Sequence, residues 1–181
     1  MVKNKGFTFY ELLIVITVIA LMAGFTTITI GTVYRNNAKR AADSISSSIK
    51  SARTNALSKG KKSGYVNFYN LNGDFYVYVG EEILPSTNPV NFSTQKWELV
   101  CSNMDYIGIG FDNGAGYTQI PLNPGALATF GFKQSTGECL GLKFPYASET
   151  TVYPSDLSIH IEKGNSDAYV EVGRYGIIET K

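Results

Sequence analysis

The chain has 181 residues, which suits one globular domain with an appendage, and 44% of them are hydrophobic, with 12 Tyr, 10 Phe and 18 Gly. That mixture speaks against an all-helical domain and for β-rich packing after the apolar start. The formal net charge is +1, and losing residues 1–6 would take Lys3 and Lys5 from the 16 basic residues, leaving 14 against 15 acidic ones; this excludes bulk electrostatic attraction to nucleic acid, though not a local patch.

From Phe7 to Ile30 the only charge is Glu11, and Leu12–Met22 is interrupted only by Thr17. The run exceeds the roughly 20 residues that cross a bilayer as a helix. Lys3 and Lys5 precede it, so the N-terminus is expected in the cytoplasm and everything after residue 30 on the outer side. A carboxylate inside hydrocarbon costs roughly 2.5–3.5 kcal/mol on insertion scales, so Glu11 calls for a partner. Three readings are open here. A secretory signal peptide would be cut near Ala20 or Met22-Ala23-Gly24, yet the apolar run continues past that point. A plain membrane anchor fits the length and gives Glu11 no purpose.

The third reading starts from the stretch KGFTFYELLIVI, which resembles the leader and first helix of type IV prepilins and of the pseudopilins of type II secretion. The commonest form in that family is G-F-T-L-I-E-L-L. This chain matches at Gly6, Phe7, Thr8, Glu11, Leu12 and Leu13 and departs at Phe9 and Tyr10, where the apolar character is kept. The resemblance implies cleavage between Gly6 and Phe7 by a prepilin peptidase, N-methylation of Phe7, and retention of the apolar segment. It also implies that Glu11 pairs with the N-terminal amine of a neighbouring subunit. A buried charge is tolerable only when neutralised, so Glu11 would act as an assembly register.

Residues 32–59 keep helical periodicity. Val33, Ala38, Ala41, Ala42, Ile45, Ile49, Ala52 and Ala56 form one apolar stripe, while Lys39, Arg40, Asp43, Lys50 and Arg53 largely fall off it. No proline interrupts Phe7 to Lys59, and Gly60 is a candidate cap, so one helix of about fifty residues is expected. Its weakest stretch by propensity runs from Gly24 to Gly31, where a kink or local melting is open. The predicted division is a leader at 1–6, a hydrophobic transmembrane and assembly helix at 7–31, an amphipathic second half at 32–60, and a β-rich head at 61–181.

The head changes to period two. SGYVNFYNLNGDFYVYVG reads as a hairpin turning at Asn72-Gly73 between Tyr65–Tyr69 and Phe75–Val79. EEILPSTNPVNFSTQ reads as a loop, and KWELV and YIGIGF as short strands. A second hairpin turns at Ser135–Gly137, a third at Gly164-Asn165, and GRYGIIET is a last strand. The expected class is therefore α+β, with a long N-terminal helix, its first half spanning the membrane, packed on an antiparallel sheet. The order of parts is similar to minor pilins and pseudopilins of the FimT/GspH type, through Ser51-Ala52-Arg53…Ala56, Tyr65–Val79, Phe132–Gly137 and Val170–Arg174.

Chemistry finds little support, and neither an enzyme nor a cofactor is expected. The single histidine, His160, lies in SIHIE on the face opposite Ile159 and Ile161, as a structural or exposed strand residue. GIGFDNGAG lacks the P-loop lysine and the dinucleotide spacing. Asp112 and Asn113 do not make an EF-hand, so calcium is not expected. Cys101 and Cys139 are either bridged, if the head lies outside the cytoplasm, or two partly buried thiols. Some relatives in DNA uptake carry a basic Gly-Arg-x-Arg motif near the C-terminus. Its counterpart here is Gly173, Arg174, Tyr175 and Gly176, without the second arginine and with Glu171 and Glu179 beside it. One phosphate contact from Arg174, with Tyr175 stacking, would give weak and salt-sensitive binding. The function implied is a minor subunit of a type IV pilus or a secretion pseudopilus. Its partners are the peptidase, other pilin or pseudopilin subunits and the membrane, and the alternative is a DNA-binding subunit of an uptake pilus.

Overall fold

A computed structural model of the chain describes residues 7–58, 64–80, 92, 95–112, 117–143, 151–152 and 156–181, with the side chains of 25–30, 112, 117, 142–143, 151–152 and 156 excepted. One helix, α1 (Phe9–Ser58), is followed by strands β1 (Gly64–Leu71), β2 (Asp74–Gly80), β3 (Glu98–Cys101), β4 (Tyr106–Asp112), β5 (Tyr117–Pro121) and β6 (Leu127–Phe132). Then come β7 (Cys139–Lys143), β8 (Thr151–Val152), β9 (Asp156–Lys163), β10 (Ser166–Gly173) and β11 (Ile178–Thr180). They form two sheets, one six-stranded in the order β3-β2-β1-β6-β7-β8 and one five-stranded in the order β11-β10-β9-β4-β5.

This corrects the expected fold class in two respects. The head is not one sheet under a helix but two antiparallel sheets, so the protein is predominantly β. Among the described residues, no helix is long and apolar enough to cross a membrane.

The second half of α1 follows its stripe. Ala38, Ala41, Ala42, Ile45, Ile49, Ala52 and Ala56 are buried, whereas Val33, also on the expected stripe, is 48% exposed. The alanines let the sheets come close: a side chain at Gly64 would collide with the backbone of Ala52. The helix packs on β1, β2, β3 and β6 of one sheet and on β9, β10 and β11 of the other, so all three layers share one core. Phe68 is central to it, stacked on Phe75 at 5.7 Å and on Phe130 at 5.5 Å between ring centroids.

Local chemistry sets the registers. Asn72 (φ 53°) and Gly73 (φ 92°) both sit at positive φ, which is what a two-residue hairpin with the sheet's own twist requires. The hairpin between β6 and β7 turns at Ser135 and Gly137, also at positive φ, and that between β9 and β10 at Gly164. On the outer face of the six-stranded sheet, Thr129 Oγ1 donates to Asn67 Oδ1 at 2.7 Å, satisfying a buried polar pair. One strand differs from expectation. Strand β5 pairs with β4 at a sheet edge, where Pro121 at its end costs no ladder bond. The proline-containing loop expected at 81–95 and the cap expected at Gly60 lie almost wholly outside the described residues.

Candidate functional site

Helix α1 begins with a capping box. The Thr8 backbone N–H and its hydroxyl both donate to Glu11 Oε2 at 2.9 Å, and the Glu11 N–H donates back to Thr8 Oγ1 at 3.3 Å. The sequence T-F-Y-E is the S/T-x-x-E pattern in which the first and fourth residues satisfy each other's orphan N–H groups. Within one chain, then, Glu11 already has a partner: it is Thr8, not a distant cation. The same S/T-x-x-E spacing is present in the sequence and is the signal for this local role.

Beyond the cap, the arm is apolar on all sides and, among the described residues, nothing covers it. Phe7 is 83% exposed and Phe9 81%, and the large side chains from Leu12 to Met22 stand roughly half exposed as well. Full burial of one such side chain is worth about 1.5–3 kcal/mol, so covering the whole arm would release on the order of 10 kcal/mol or more. A contiguous apolar surface of this size marks an interaction site. Gly6, and with it one side of the expected cleavage point, lies outside the described residues.

Of the two alternatives for the cysteines, the strand order favours two free thiols over a bridge. Cys101 is in β3 and Cys139 in β7, four strand positions apart in one sheet. Neighbouring strands are about 4.8 Å apart, so the two lie roughly 19 Å apart across the sheet alone, and a disulfide needs Cα atoms within about 7 Å. Both thiols are free. Burial, with Asp74 adding to it, pushes the Cys101 thiol up to about 12, and burial also raises Cys139. Such thiols are poor nucleophiles. Ellman's reagent without reductant should find two thiols per unfolded chain, and Cys101 should stay unmodified in the native protein; one thiol or none after unfolding would contradict the topology.

Arg174 and Tyr175 lie together, both exposed, on the turn between β10 and β11. Their backbone is clamped: Arg53 Nη2 donates to Tyr175 O at 3.3 Å, Arg53 Nε to Gly137 O at 3.5 Å, and Cys139 N to Arg174 O at 3.0 Å. Of the two glutamates beside them, Glu171 is paired with Lys181 at 2.6 Å. Asn113 and the Asp112 side chain lie outside the described parts, so the calcium question does too.

His160 is placed on the face expected, opposite the fully buried Ile159 and Ile161. Its surroundings were not foreseen. The ring is stacked on Tyr169 and tilted against Tyr106, with Gln119, Glu162 and Asp167 around it. No family model, no curated protein and no solved structure matches the chain.

Proposed function

We propose that the chain is a minor subunit of a type IV pilus or of a type II secretion pseudopilus, acting by assembly and not by catalysis. The observation that carries this reading is the uncovered apolar arm, capped at Thr8–Glu11 and continuous with a helix whose second half is locked into the head. A head with such an arm is complete only when something covers the arm, and like helices packed side by side cover it on all faces. In this account a prepilin peptidase cuts between Gly6 and Phe7, the Phe7 amine is methylated, and the chain waits at the cytoplasmic membrane with its head outside the cytoplasm. On assembly, Glu11 exchanges its bonds to Thr8 for the amine of a neighbouring subunit, which leaves neither charge unpaired.

The test is recovery of the chain in filaments sheared from the cells or induced to grow in the periplasm. Its presence there alongside the major subunit is expected, and its restriction to the soluble fraction would overturn the reading. Nucleic-acid binding through Arg174 and Tyr175 is the weaker reading, because one arginine on a turn offers a single phosphate contact.

A further inference from the structure

We propose that His160, Glu162 and Asp167 form a site for a divalent transition-metal ion on the outer face of the five-stranded sheet. The inference does not depend on the filament reading. His160 and Glu162 are two residues apart on β9, so the pleat puts both on one face. The tight turn at Gly164 sets β10 so that Asp167 stands directly opposite Glu162, and Tyr169 opposite His160. One ligand atom from each of the three residues lies within 4.8 Å of the others. His160 Nε2 is 3.2 Å from Asp167 Oδ1. Two ligands about 2.0–2.1 Å from a tetrahedral zinc ion are roughly 3.3–3.4 Å apart, so one edge of the coordination shell is preformed.

The imidazole is held as a ligand needs to be held. Its side chain is only 15% exposed. Tyr169 stacks on it at 4.5 Å with planes 4° apart, and Tyr106 leans on it at 5.4 Å. Tyr106 can lie there because Gly108, opposite His160 on β4, has no side chain to push its ring away. On the far side of the imidazole, Gln119 Nε2 lies 2.9 Å from Nδ1 and donates to it, so in the metal-free chain Nε2–H donates to Asp167. A metal ion would displace that Nε2 proton, and the Gln119 amide, turned over to present its oxygen, would accept from Nδ1–H, the usual outer-shell arrangement of a metal-bound histidine.

Charge points the same way. Two carboxylates directly opposite each other on neighbouring strands repel. Lys163, next along β9, is not available to offset them, being bound to Asp105 Oδ1 at 2.9 Å. A divalent cation would neutralise both. One imidazole with two carboxylates suits zinc or another first-row ion better than calcium, which takes oxygen ligands throughout. Three protein ligands leave a fourth position for water.

The experiment is calorimetric titration of the tagless full chain, held in mild detergent near neutral pH, with zinc chloride alone. One ion per chain is expected, with His160→Ala weakening binding by roughly 30-fold or more and Asp167→Asn by roughly 10-fold or more. Cobalt(II) should report the same site through visible absorption that His160→Ala abolishes. Should His160→Ala lose its native circular dichroism, Asp167→Asn, at an exposed carboxylate, decides alone. No zinc uptake by the wild-type chain at about 100 µM, far above the dissociation constants of structural zinc sites, would overturn the proposal. So would binding by both folded variants within about twofold of wild type.

Discussion

Glu11→Ala is expected to leave the chain folded and processed but to lower its incorporation into filaments by roughly 100-fold. The head does not feel the change, since among the described residues Glu11 bonds to Thr8 at the exposed end of α1. Losing the cap frays one helix end at a cost of about 1 kcal/mol. In the proposed filament the effect would be larger, because the neighbour's amine would then be buried without a counter-charge, at about 3–5 kcal/mol. Thr8→Ala separates the two roles. It removes the partner in the capping box yet keeps the carboxylate, so incorporation near the wild-type level is expected. Equal loss in both variants, measured by quantitative blotting of sheared filaments, would assign Glu11 to helix capping alone.

Phe68→Ala carries the largest stability change expected in the head, about 3–5 kcal/mol. The ring is fully buried and stacked against both Phe75 and Phe130 between α1 and the sheets. Its removal leaves a cavity that the alanine stripe of the helix is too small to fill. Whole domains are stable by only about 5–15 kcal/mol, so much of the folded population is at risk. Urea denaturation followed by circular dichroism measures the loss, and a change under about 1 kcal/mol would mean that the three layers do not share a core.

Much of the head was legible because its turns are chemically explicit. Asn72-Gly73 and Gly164-Asn165 fix hairpin registers by themselves, and the alanine-rich stripe of α1 announces a face that something must cover closely. Strand β5 was not legible: Tyr117–Pro121 mixes polar residues with a proline, as an edge strand does, and follows a glycine-rich stretch. That miss hid Gln119. Pairing across the turn at Gly164, by contrast, already implied that Asp167 faces Glu162, but a lone histidine drew no attention to its neighbours. For the two cysteines the sequence left bridge and free thiols open, because strand order, which spacing along the chain does not reveal, is what keeps them apart. Where the sheet divides in two was equally hidden, since hairpins fix neighbours but not which hairpins join.

The most direct test of the assembly account is the intact mass and N-terminal sequence of the chain recovered from native membranes. A chain beginning at N-methylated Phe7 is expected, with the amine placed one residue before the Thr8–Glu11 cap. A chain beginning near Gly24, or an uncut chain beginning at Met1, would contradict it.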